Sequence, residues 1–189
     1  MRSTRRCVLG LLITLLLTVV TPFVFAQAAH VRWDIVTVAT GTPAPGGFAS
    51  AFANDGSHIT ITGSGTFVAP AGGDGTSSAT TGGGKWAVFA PGATTPSATG
   101  TYTVSGLVRW EEKGTFPALT DHAVGGLAIL RVEFSDGSQG VLTVSCHAAS
   151  GSEPTIFEGI TISKSFVDYW NRQAPVAGVD ANRTLFHIL

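Results

Sequence analysis

The sequence predicts an all-β fold: an antiparallel β-barrel of about eight strands, with a β-sandwich as the alternative. Three observations predict it. Apolar residues recur at period two rather than 3.6. Gly, Pro, Asn and Asp punctuate these runs at short intervals, which leaves no room for long crossover helices. Gly63, Gly65, Gly106 and Gly159 fall inside the runs, and interior glycines mark sharp bends at barrel corners or close backbone approach. This last feature favours the barrel.

The chain begins with an export pattern. Arg2, Arg5 and Arg6 precede an uncharged, Leu-rich run over residues 8–20. Pro22 then breaks any helix, and Ala26-Gln27-Ala28 offers small residues to a signal peptidase. We expect a signal peptide over 1–28, a single barrel or sandwich domain over 29–189, and a secreted or periplasmic location. The alternative is an uncleaved N-terminal membrane anchor, since residues 8–29 carry no charge and could span a bilayer. Thr4-Arg5-Arg6-Cys7-Val8-Leu9 also loosely fits a twin-arginine signal.

Strands are expected over 31–38, 85–89, 101–112, 127–134, 141–147, 156–164 and 184–189. In 101–112, Tyr102, Val104, Gly106, Val108 and Trp110 share one face and should point inward, with Leu107 an exception on the other. In 127–134, Ala128, Leu130, Val132 and Phe134 share a face, and Ser135-Asp136-Gly137-Ser138 supplies a hairpin turn. The return strand puts Leu142, Val144 and Cys146 on one side and His147 on the other. Asn54-Asp55-Gly56-Ser57, between Phe52 and the run His58–Thr62, repeats that turn chemistry. Residues 166–172 could form a strand or a short helix. Loops are expected over 41–47, 69–84, 91–100, 113–121 and 173–182. The second of these is long enough to be mobile or functional.

Charge excludes some partners. Loss of residues 1–28 would remove three Arg and no acid, leaving 8 basic and 12 acidic groups, a net charge of −4. The remaining cations are scattered singly. Neither a nucleic-acid partner nor binding to an anionic lipid surface is expected. Cys7 would leave with the signal, so Cys146 has no internal disulfide partner.

Few residues suggest chemistry. Cys146-His147 resembles a nucleophile pair, but neighbours in a strand face opposite ways, so a buried inert thiol is the simpler reading. Glu158 shares a face with Ile156, Ile160 and Ile162. If that face is interior, the carboxyl must be paired, hydrogen-bonded or protonated, and could act as a general acid. The competing readings are a bulge at Gly159 that turns it outward, or a structural hydrogen bond to backbone. His30, His58, His122, His147 and His187 show no metal-ligand spacing, and no motif calls for a metal or a cofactor. Gly72-Gly73-Asp74-Gly75 is one unit of a calcium-type repeat that needs stacked copies, and Gly82-Gly83-Gly84 lacks the Lys-Ser/Thr of a phosphate loop. Asn182-Arg183-Thr184 is a glycosylation sequon. Trp33, Trp86, Trp110, Trp170, Tyr102 and Tyr169 could line a barrel mouth or belong to the core.

Phe157-Glu158-Gly159-Ile160, the stretch Phe166-Val167-Asp168-Tyr169-Trp170-Asn171-Arg172 and Phe52-Ala53-Asn54-Asp55-Gly56-Ser57 resemble small exported bacterial proteins of uncharacterised function. The resemblance covers most of residues 29–189. It implies export and no particular activity, so it assigns no catalytic residue.

The leading functional expectation is a small apolar or sugar-like ligand, held by Trp86, Tyr102, Trp110 and Trp170 with Glu158 as polar anchor. The alternative is a barrel-pocket enzyme, an isomerase, cyclase or hydrolase, using Glu158 as acid/base with Tyr102 in reach. A third reading is a surface or matrix module presenting the polar face His58, Thr60, Thr62, Ser64 and Thr66.

Overall fold

The computed structural model describes residues 28–38, 41–71, 75–119, 121–148, 150–154, 156–172 and 182–189. Residues 1–27 of the expected signal, Gly72 to Asp74, and all of the 173–182 loop except Asn182 lie outside the described residues. The described residues form 13 strands and no helix.

Six strands close a barrel. They are β1 (Ala29–Thr37), β5 (Ser64–Ala69), β6 (Thr80–Phe89), β7 (Ala98–Thr115), β8 (Ala123–Phe134) and β13 (Arg183–Ile188). The antiparallel pairings run β8-β13-β1-β5-β6-β7 and return to β8. Closure removes the exposed edges that an open sheet would present. The remaining strands are β2 (Ala44–Pro45), β3 (Ala49–Phe52), β4 (His58–Ile61), β9 (Gln139–Cys146), β10 (Gly159–Lys164), β11 (Val167–Tyr169) and β12 (Asn171–Arg172). Of these, β9, β10 and β11 extend outward from β8, while β4, β3 and β12 extend from β6. Residues 167–172 join the two extensions, because β11 pairs with β10 and β12 pairs with β3.

The barrel core is aromatic. Trp33 from β1, Phe67 from β5, Trp110 from β7 and Phe186 from β13 are buried together. Trp110 tilts against Phe186 at 4.6 Å and against Phe67 at 5.4 Å between ring centroids. Such packing accounts for a glycine corner. β4 and β5 are parts of one extended run that bends at Gly63, where a Cβ would collide with the Tyr102 hydroxyl and come within 2.9 Å of the Trp33 ring.

Two expectations are corrected. The strand containing Trp110 does not keep strict alternation: its pairing with β8 shifts between Val104 and Gly106 and again between Leu107 and Arg109. Each bulge adds one residue to β7 and turns the following side chains over. Leu107 is therefore fully buried, and Val108 is partly exposed. Gly82-Gly83-Gly84 lies not in a loop but in β6, at the point where β6 changes partner from β5 to β4. A Cβ at Gly82 would strike the Ser64 carbonyl, one at Gly83 the Tyr102 carbonyl, and one at Gly84 the Thr62 carbonyl. Three neighbouring strands crowd that fork, and only glycine leaves them room.

The repeated turn is real. In both copies the Asp carboxylate accepts from the backbone N–H of the Ser two residues on, at 2.9 Å for Asp55 and 3.1 Å for Asp136, and from its hydroxyl. The intervening Gly56 and Gly137 both have φ of 84°. Residues 164–169 latch both turns. The Tyr169 phenol lies beside Ser57 and Asp55 of the first turn. Lys164, buried, pairs with Asp136, donates to Ser138 Oγ at 3.1 Å, and places its ammonium 4.3 Å from the Trp86 ring centre and 4.9 Å from that of Phe134.

The Lys164 hydrogen bond, followed by those from Ser138, holds the Asp136 carboxyl at about 2. Its folded value lies below the unfolded one, so its contribution to stability is present above the ordinary carboxyl range and is lost as pH falls towards about 2. In a carboxyl-carbon NMR titration, Lys164→Met is expected to return the Asp136 midpoint towards about 3.9. An unmoved midpoint would show that the turn, not the lysine, sets it.

Candidate functional site

A mainly apolar cleft lies on the outer face of the β4–β6–β7 ladder. Register builds it. Thr60 pairs with Ala87, which pairs with Thr99, while Ile61 pairs with Trp86, which pairs with Gly100. Alternation sends Ile59, Ile61 and Trp86 inward and leaves Thr60, Thr62, Lys85, Ala87, Phe89, Thr99 and Thr101 facing out. Ala87, the smallest of these, sits between two threonines and lowers the floor. Phe48, from the segment before β3, and Phe89, at the end of β6, wall a space of about 460 Å³. Phe89 is held in place by stacking on His58, with centroids 4.4 Å apart and planes 1° apart.

Two of the floor hydroxyls are already engaged. Thr60 Oγ1 shares a hydrogen bond with Ser50 Oγ at 2.7 Å, and Thr62 Oγ1 accepts from the Lys85 backbone N–H at 3.1 Å. Beneath the floor, the Trp86 indole donates to the Thr101 carbonyl at 3.0 Å. Gly100 permits this, since a Cβ there would come within 2.8 Å of the indole ring.

The sequence-nominated residues do not converge. Of them Trp86 alone adjoins this cleft, at the floor beneath which its indole is buried. Tyr102 is buried behind it and donates its hydroxyl to the Thr62 carbonyl at 2.9 Å, which fixes the bend at Gly63. Burial pushes its phenol far above the ordinary tyrosine value, so it stays protonated. Trp110 belongs to the barrel core. Trp170 is exposed beside a separate shallow groove with Val141, Thr161 and Asp168.

Glu158 lines none of these clefts. It precedes β10, where Gly159 has φ of 110° and breaks the alternation that would have aligned it with Ile160 and Ile162. Its carboxylate accepts from the backbone N–H of His147 at 2.9 Å and of Thr184 at 2.8 Å, tying the ends of β9 and β13. Burial raises its pKa, and these hydrogen bonds together with Arg183 pull it part of the way back. Of the alternatives weighed for it, the structural bond to backbone is the one observed. Cys146 and His147 face opposite ways, as alternation requires: the thiol is buried and the imidazole Nδ1 lies 2.8 Å from the Ile156 carbonyl. Burial, then the Glu158 charge, pushes the thiol well above its ordinary value, which removes the nucleophilic thiolate.

The sequon is closed. Asn182 is 1% exposed and accepts from the Ser50 N–H at 2.6 Å, so the folded chain offers it to no glycosylating enzyme. Among the described residues no three His, Cys, Asp or Glu side chains gather as metal ligands.

Sequence reasoning missed Phe48, Lys85, Phe89, Thr99 and Thr101. Their residue types carry no motif, and only strand pairing sets them side by side. Comparison with family models, with curated proteins and with solved structures finds no match.

Proposed function

We propose that this chain is an exported β-barrel protein that binds a small, mainly apolar, ring-bearing molecule in the cleft between Phe48 and Phe89. The observation that carries the reading is the cleft itself: two aromatic walls over a strand floor, with a few convergent polar groups, is the usual composition of a small-molecule site. With Thr60 and Thr62 engaged, the floor offers mostly methyl groups and Ala87, which favours a hydrocarbon body over a polyhydroxylated one. Thr99 and Thr101 remain to orient a polar group. The rigid ladder beneath supports binding without much ordering cost. A role for Glu158 as acid/base gains no support, because its oxygens already face two backbone donors away from the cleft.

The neutral fluorophore N-phenyl-1-naphthylamine brightens in apolar sites and serves as the probe. Thr99→Trp, on the exposed cleft wall, should fill the space and abolish the signal. Phe48→Ser should weaken binding by about tenfold through loss of one stacking wall. Unchanged titrations in both variants, with unfolding midpoints matching the wild type, would refute the reading.

A further inference from the structure

We infer that the ligand is an amphipathic organic anion, one hydrocarbon ring body carrying one carboxylate or sulfonate, whose charge is met by Lys85. This rests on the cleft being the binding site, as proposed above, and adds the chemical class.

The argument is one of charge. The residues lining the cleft include one cation, Lys85, and no Asp or Glu. The chain holds three lysines. Lys113 pairs with Glu153 at 3.0 Å, and Lys164 with Asp136. Among the cations with partners, Arg32 also pairs with Asp34, at 2.8 Å, and Arg109 with Glu111. Lys85 has no carboxylate partner among the described residues, although residues 29–189 carry 12 acids against 8 bases. Ten of those acids are among the described residues, and none of the ten forms an ion pair with this ammonium.

Its place on the ladder adds to this. Lys85 pairs with Thr101 on β7, and Thr62 bonds to its backbone from the other side. An anion drawn to the ammonium would have the Thr101 hydroxyl as a second donor, while its ring body lay over Ala87 towards Phe89. A neutral apolar molecule would use the walls and leave the lysine idle. A cation would meet repulsion with no acid to offset it.

The test uses two probes that differ by one charged group. 8-Anilinonaphthalene-1-sulfonate is N-phenyl-1-naphthylamine with a sulfonate added, and both report by fluorescence. Lys85→Met should weaken the sulfonate probe about fivefold relative to the neutral probe titrated into the same variant, and Lys85→Glu should widen that ratio further. Added salt should weaken the sulfonate probe alone, and only in the wild type. Near-ultraviolet circular dichroism would confirm that each variant keeps its tertiary packing. If Lys85→Met shifts that ratio less than twofold while Thr99→Trp still blocks both probes, the cleft stands and the anion assignment falls. If Thr99→Trp blocks neither probe, both fall together.

Discussion

A chain with Trp110 replaced by alanine is expected to lose about 3–5 kcal/mol of folding stability. Trp110 is 3% exposed and holds the centre of the six-strand barrel. Its indole bridges Phe67 on β5 and Phe186 on β13, which are neighbours of β1 on opposite sides. Removing it deletes the transfer energy of a large ring and leaves a hole that strands cannot close, because each is fixed by hydrogen bonds on both edges. A Gly126 Cβ would already come within 2.7 Å of the Trp110 ring, so the backbone of β8 is pressed against it and has no side chain to move into the void. Trp110→Phe keeps part of the contact and should cost less. The check is a guanidinium denaturation series, with the midpoint falling and the slope held. A loss below about 1 kcal/mol would mean that the barrel collapses around the site, contrary to the packing described.

The same variant separates two roles that the sequence left joined. Trp110 was nominated both as core and as a ligand-binding aromatic. Its position in the barrel interior makes it the former, so whatever fraction of Trp110→Ala remains folded should bind the neutral naphthylamine probe as the wild type does. Weakened binding per folded molecule would return Trp110 to the site.

What could be read from the sequence was what period two encodes. Tyr102 and Trp110 declared themselves inward because their neighbours Thr101, Thr103, Arg109 and Glu111 are polar, and the paired Asp-Gly-Ser turns declared themselves by residue type. Leu107 broke the pattern and stood as an exception. The reason is the pair of bulges in β7 between Val104 and Arg109, two of its three, and an extra residue in a strand leaves no mark except such a break. Gly82-Gly83-Gly84 read as loop because glycine contributes nothing to alternation, whereas its role is to let three strands converge. The cleft was illegible for a different reason. Phe48 comes from an irregular segment, and Lys85, Phe89 and Thr99 belong to strands whose register is set by pairing across more than ten residues of sequence. No local window contains the site.

Glu158→Ala is expected to cost about 1–3 kcal/mol, because Thr184 is buried and its N–H would lose its acceptor with no water to replace it. His147 is exposed, so its N–H can turn to solvent and adds little. Glu158→Gln should behave differently. Its single carbonyl can keep the Thr184 bond, and it removes a charge that burial disfavours. The sign of the pH effect follows from the raised carboxyl. Between an ordinary glutamate value of about 4.3 and its higher folded value, the native state holds the proton and the unfolded state does not. Stability from this group therefore falls as pH rises through that window. Gln has no such slope, so Glu158→Gln should gain on the wild type as pH rises through that window while Glu158→Ala stays below it at acid pH. Denaturant midpoints of the three chains at both ends of that range provide the check. If Glu158→Gln falls as far as Glu158→Ala, the charged carboxylate and both of its backbone bonds hold β9 to β13. If the wild type and Glu158→Gln run parallel in pH, the carboxyl is not raised and its hydrogen bonds together with Arg183 offset burial in full. The outcome decides whether the half-buried acid that suggested catalysis is instead a clamp between two strand ends, which is the role its two backbone donors assign it.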